Sequence, residues 1–375
     1  MALVPPHGVR ALVPVFAVQG GAARSTLTGL LAQVFGPAVR TVVLDTAARS
    51  CSPWPDWVGV GTKLGEKSGF PGLAAQPGTP DRAALLEAKA RRAVTLRRGE
   101  AAVQLEPGED PGYDVLADLR PWTRPPVDVP EDPRWYARVL TNGDWSVGIV
   151  DHSFPAAVAH IRARSESRQS LLDAWFQRQD AVPLLVGTSA AAGPSRLRRL
   201  TSILDTDGLP AERAAVAIVD VTGEDRPKWL NGELDALRQR VGTLVQIPFD
   251  KAIHNDELTY PDAVGGATLT AVRKLAEHIA SAVKHQPNDG GEATYEDPYG
   301  RPDPRGEMAA YRAQVEAEHG PLPGSPSAQP STTGPAATPA PSPAPTSPPT
   351  PWPAEPQPST PPGQKSGGWT PGRAR

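Results

Sequence analysis

Cysteine is almost missing from this chain. Cys51 stands alone, so no disulfide can close within the chain and no cysteine-based zinc cluster can form. Net charge is nearly missing too: a formal balance of −3 gives no overall attraction to nucleic acid or to an anionic lipid surface, and either contact would need a local patch. No apolar run approaches the length of a membrane span. The start, Met1-Ala-Leu-Val-Pro-Pro6, lacks the basic segment and the apolar segment of a secretory leader. Taken together, these absences read as a soluble, cytoplasmic protein. His152, His160, His254, His278 and His285 are scattered without the H-x-x-x-H spacing of a helical metal site. No G-x-S-x-G elbow occurs, and no spacing of Ser, His and Asp supports a nucleophilic triad.

Proline is abundant and unevenly placed. Of the 45 prolines, 18 fall in residues 321–375, where Ser, Thr, Ala and Gly fill most of the rest. Such a segment cannot bury enough apolar surface to offset chain entropy, so a disordered Pro-rich tail is expected over 321–375. The preceding 286–320 reads as a linker with a short helix-like piece from Gly306 to Glu318. Residues 1–285 read as one domain. Within it, apolar runs at Val15–Val18, Thr41–Leu44, Ser146–Val150, Val182–Val186, Ala215–Val219 and Thr243–Ile247 predict strands. The first is started after Pro14, which lacks a ladder donor. Helices are predicted between them at Thr26–Phe35, Arg82–Ala93, Ser167–Gln177, Ser195–Leu204, Asn231–Val241 and Leu269–Val283. That alternation predicts an α/β fold of three layers around a mostly parallel sheet. It weakens over about 51–143, where Trp54, Trp57, Trp122 and Trp135 mark an insert expected to be a cap or an interaction surface.

The most informative stretch runs from Val13 to Thr28, a short strand leading through Gly20-Gly21 into a hydroxyl-led helix. Backbone N–H groups of such a turn, with the positive end of the helix, suit a phosphate chain. The run Gln19-Gly20-Gly21-Ala22-Ala23-Arg24-Ser25-Thr26 resembles the loop K-G-G-x-G-K-[ST]-[ST] of the MinD/ParA-like group of P-loop ATPases, keeping four of its seven defined positions. Ala23 stands at a glycine, and Gln19 and Arg24 stand at the two lysines, which makes the Walker A motif degenerate. Thr41-Val-Val-Leu-Asp-Thr-Ala47 resembles the family's V-L-L-x-D-x-D, with Asp45 at the first aspartate and Ala47 at the second. Gly143 to His152 resembles its Walker B strand, with Asp151 at the end. Leu244-Val-Gln-Ile-Pro-Phe-Asp250 resembles its base-pocket segment, and Asp220 closes a strand where the family often recognises the base.

The resemblance implies a P-loop NTPase fold that binds ATP and Mg2+. Gly20, Gly21, Ala22, Ala23, Arg24, Ser25 and Thr26 would hold the phosphates, Asp220, Pro248 and Asp250 would lie at the base, and Ser25 with Asp151 would hold the metal. Ala47 cannot position a water, so hydrolysis is expected to be slow or absent unless Asp45 takes that role. The expected role is a regulatory adaptor. Two alternatives stand beside it: an active ATPase that positions DNA or protein cargo, and a nucleotide-independent scaffold of a secretion or conjugation machine. A protein partner is expected through the Trp-rich insert or the tail, with a homodimer as a further option. Two basic runs, Lys89 to Arg98 and Arg196 to Arg199, could touch DNA, but acidic residues surround both and a solvated face is the better reading. The helix-like piece with Met308, Tyr311 and Val315 is too acidic for stable membrane binding.

Overall fold

The computed structural model describes residues 3–6, 9–58, 70, 73, 79–93, 112–120, 129–153, 156–190, 192–224, 229–256, 258 and 263–284. The linker, the 306–318 piece, the Pro-rich tail and Trp122 lie outside the described residues.

Eight strands form one sheet: β1 (Ala11–Ala17), β2 (Thr41–Asp45), β3 (Ala90–Ala93), β4 (Gly112–Leu116), β5 (Val147–Asp151), β6 (Leu184–Thr188), β7 (Ala215–Val219) and β8 (Thr243–Ile247). Their order is β3-β4-β2-β5-β1-β6-β7-β8. All pairs are parallel except β3 with β4. Parallel strands need covered crossovers, and ten helices are described: α1 (Arg24–Phe35), α2 (Trp54–Trp57), α3 (Arg82–Ala88), α4 (Pro133–Gly143), α5 (Ala156–Ser165), α6 (Leu171–Gln177), α7 (Ala192–Thr206), α8 (Leu230–Arg238), α9 (Lys251–Asp256) and α10 (Gly266–Ala282). The sheet divides two cores. Ala11, Val13 and Val15 pack with Leu27, Leu31, Leu275 and Ile279 from α1 and α10. Leu12 and Phe16 point the other way, towards Leu140, Trp175, Leu200 and Leu237 from α4, α6, α7 and α8. This is the three-layer α/β architecture that the alternating runs predict.

Two expectations are corrected. Pro14 lies inside β1, a central strand, paired with Val150. Odd residues of β1 bond towards β5, as in Ala11 N–H to Ser146 O, while Leu12 bonds towards the 180–182 segment on the other side. The missing donor of Pro14 therefore falls on the β6 side, where regular pairing starts only at Val15. Next, the run Arg82–Ala93 is not one helix: α3 stops at Ala88, and Ala90–Ala93 forms the antiparallel edge strand. The described parts of the Trp-rich insert join the main fold. β4 pairs with β2, and Trp54, Trp57 and Trp135 are buried rather than displayed.

Candidate functional site

The parallel strands β1, β2, β5, β7 and β8 end on one edge of the sheet, and the loops leaving those ends converge there. The first runs from Val18 to Ala23. Gly21 takes φ +69°, a left-handed conformation that costs glycine little, and Ala23 takes φ +56° as the cap of α1. Ala23 thus adopts the backbone geometry a glycine would prefer, at a steric cost of about 1 kcal/mol. No side chain caps α1, and its first turn carries no acidic residue. Its leading N–H groups are left facing outwards with the positive end of the helix dipole.

Two cavities flank this turn. One of about 280 Å3 is lined by Gln19 to Thr26 together with Ala17, Cys51, Pro53, Trp57 and Ser153. The other, of about 180 Å3, is walled by Leu30, Val219, Val221, Ile247, Phe249 and Ile253, with Asp220, Pro248 and Asp250 at its rim. Ala23 and Thr26 line both. The sequence-predicted residues are thereby gathered into two adjoining groups: Gly20 to Thr26 in the first cavity, and Asp220, Pro248 and Asp250 in the second. The two aspartates are anchored by backbone. Asp250 accepts from Ala252 N–H at 3.1 Å and Gly265 N–H at 2.7 Å, and Asp220 accepts from Gly223 N–H at 3.1 Å. They shape the loops that frame the apolar walls.

Asp45 and Asp151 line neither cavity. They are register partners at the ends of β2 and β5, and both are buried beneath the loop. Arg24 pairs through Nε with Asp151 Oδ1, and its Nη2 donates to Ser25 Oγ at 3.3 Å. Trp54 Nε1 donates to Asp151 Oδ2 at 2.9 Å. On Asp45, Ser52 Oγ donates to Oδ2 at 2.5 Å and the Ala47 N–H to Oδ1 at 3.0 Å. Burial, then the negative charge of Asp151, pushes the Asp45 carboxyl up to about 8; the Ser52 and Ala47 hydrogen bonds and the Arg24 charge pull the other way. Beneath the pair, His152 stacks on Phe16 at 4.6 Å, and burial followed by the Arg24 charge pushes its imidazole down to about 3.

A magnesium ion at Ser25 and Asp151 does not fit these side chains as they stand. The Arg24 guanidinium already stands on Asp151 Oδ1 and bonds Ser25 Oγ, Trp54 covers Oδ2, and the Asp151 side chain is 0% exposed, so a divalent cation would meet a fixed positive charge and no accessible carboxylate. Among the described residues, no group of three or more His, Cys, Asp or Glu could hold a metal ion. Gln19 turns sideways, donating to Thr188 Oγ1 at 3.1 Å and accepting from Arg196 Nη1. Sequence reasoning missed Ser52, Trp54, Trp57 and Arg196. The first three follow β2, whose C-terminal end lies at the converging edge, and that position was the available signal.

Fold and site define a class: an α/β protein with a doubly covered sheet and a glycine turn between two cavities at the end of its central strand. No protein-family model matches the sequence, and no curated protein matches it. Among solved structures it is similar to a ParA family ATPase from Chlorobium tepidum TLS, at 13% identity and TM-score 0.44, over 72% of this chain and 99% of that one. It is also similar to the cell division ATPase MinD from Pyrococcus furiosus, at 16% identity and TM-score 0.43, over 72% and 98% of the two chains. A third is the septum site-determining protein MinD complexed with Mg-ADP from Pyrococcus horikoshii OT3, at 18% identity and TM-score 0.41, over 72% and 95%.

Proposed function

We propose that this chain is a MinD/ParA-like nucleotide-binding regulatory adaptor that holds ATP without turning it over. The observation that carries the reading is the pair of cavities sharing Ala23 and Thr26, one formed by the glycine turn and the start of α1, the other walled by apolar side chains. A phosphate chain suits the first, through backbone N–H groups. A flat base suits the second, between Pro248, Phe249 and Leu30. Retention rather than hydrolysis is supported by Ala47, which has no carboxylate, and by Asp45, which is buried, bonded to Ser52 and Ala47, and absent from the cavity wall.

Nucleotide state would reach a partner through the segments that meet at the loop. Trp54, Trp57 and Trp135 face the core, so a partner on the Trp-rich segment must recognise other residues there. Gln19, tied to Thr188 and Arg196 of its own chain, offers no charge to a second subunit in a homodimer.

The test is calorimetric titration of ATP into the full chain, beside Gly20→Glu. Gly20 lines the phosphate cavity and a Cβ there meets nothing within 4 Å, so the glutamate side chain starts at that cavity without a clash at its first carbon. Micromolar binding is expected for the wild-type protein, weakened by about tenfold or more in G20E with unchanged thermal unfolding. Phosphate release is expected to stay at the buffer background. No wild-type binding would leave the scaffold reading in place, and measurable turnover abolished by Asp45→Asn would establish the active ATPase instead.

A further inference from the structure

We propose that the Arg24 guanidinium is the resident cation of this site: it holds the position beside Asp151 and Ser25 that a divalent ion would need, so the cavity takes a nucleoside polyphosphate without metal. The ligand in this statement rests on the nucleotide reading above; the exclusion of metal rests on the side chains alone.

Four carboxylate oxygens meet at the ends of β2 and β5, and every one has a donor. Asp151 is fully buried, with Arg24 on one oxygen and the indole of Trp54 on the other. Trp54 is itself 0% exposed and packed edge-on against Trp57 at 5.2 Å, so its indole N–H cannot swing away. Asp45 is closed by Ser52 and Ala47. The remaining oxygen a metal would use, Ser25 Oγ, already accepts from the same guanidinium. The shape of arginine makes this double contact: Nε reaches the carboxylate while Nη2 reaches the hydroxyl, a fork that a lysine ammonium lacks. A divalent ion entering here would have to displace a covalently attached charge and also strip its own water, which magnesium gives up reluctantly. Arg24 is also among the residues lining the 280 Å3 cavity, so the cation paired with Asp151 belongs to the wall around the glycine turn.

The experiment titrates Mn2+ into the full-length protein, following the free ion by electron paramagnetic resonance, and repeats the ATP titration in EDTA and in excess Mg2+. Arg24→Lys and Arg24→Ala are run in parallel, with thermal unfolding as a folding control. Wild-type protein is expected to take up no Mn2+ at millimolar concentration and to bind ATP equally in EDTA and in Mg2+. Arg24→Lys, which frees Ser25 Oγ and one oxygen of Asp151, is expected to gain Mn2+ binding and an ATP affinity about tenfold higher with Mg2+ than with EDTA. Stoichiometric Mn2+ uptake by the wild-type chain, or wild-type ATP binding that needs Mg2+, would overturn the proposal. The wild-type measurement decides it even if both variants unfold. Should ATP bind under neither condition, the nucleotide reading fails, and Mn2+ uptake alone still decides whether Arg24 excludes metal.

Discussion

Asp45 and His152 are two buried groups whose titrations pull stability in opposite directions. Asp45 is raised from 3.8 to about 8, facing Asp151, Arg24 and Ser52. Between those values the folded state holds a proton that the unfolded state has lost, so stability falls as pH rises. His152 is lowered from 6.5 to about 3, facing Arg24, Phe16, Tyr136 and Trp175. Between those values the unfolded state holds the extra proton, so stability rises with pH. The slopes offset each other between 3.8 and 6.5 and leave Asp45 alone above 6.5. Denaturant midpoints are therefore expected to fall from about pH 6.5 towards pH 8, by on the order of 1 kcal/mol per unit. Asp45→Asn, which keeps an acceptor for the Ala47 N–H, is expected to remove the fall. A wild-type midpoint that climbs between pH 6.5 and 8 would contradict the burial of Asp45 as a neutral acid.

At the scale of elements, helix α7 is seated by contact rather than by charge. A Cβ added to Gly193, in its first turn, would lie 2.1 Å from Thr188 O at the end of β6, so backbone rests directly on backbone. Gly193→Ala is expected to cost more than about 2 kcal/mol in thermal or chemical unfolding, because neither chain segment can rotate away. The far end of α7 is tied differently. His160 of α5 bridges Ser170 Oγ at 2.6 Å and Asp207 Oδ2 at 2.7 Å. Serine, histidine and aspartate do meet there, but Ser170 Oγ also accepts from Asp173 N–H as the cap of α6, and both Ser170 and His160 are buried. The group fastens three helices. Elements were legible in the sequence where an apolar run stood between clear breaks, as with β5, β7 and α10. They were not legible where the pattern was local but the stabilisation was not. Ala90-Arg-Arg-Ala93 has no strand-forming residue and is extended because it pairs with β4. Gly112-Tyr-Asp-Val-Leu116 hides a buried Asp114, whose carboxylate is satisfied by Lys89 at 3.0 Å and Trp145 at 2.7 Å. The loop and the aspartates of the site were readable because parallel strands deliver their ends to one edge. Trp54 and Ser52 were not, since their roles depend on partners 97 and 7 residues distant in the chain.

At the scale of the whole molecule, several of the described charges are paired within the chain. Lys89 pairs with Asp114 and Arg198 with Glu233, while Arg92 is buried and donates to the Leu258 carbonyl. Lys89, Arg92, Arg196 and Arg198 of the two basic runs thus have partners in their own chain, and the net balance is −3. Mobility-shift assays with duplex DNA are expected to show no complex even at low salt, where counterion release would favour one most. A salt-sensitive shift would relocate the partner surface to Arg196 and Arg199. No described helix is long and apolar enough to cross a membrane. The proline at position 14 has a mechanical consequence. β1 is joined to β5 by five registered pairs, and β6 to β7 likewise, but β1 meets β6 over only three, after a single bridge at Leu12. Past Pro14, β1 is anchored to β6 by Val15, Phe16 and Ala17 alone, and the glycine turn leaves the sheet directly after them, so these three residues set where the turn begins.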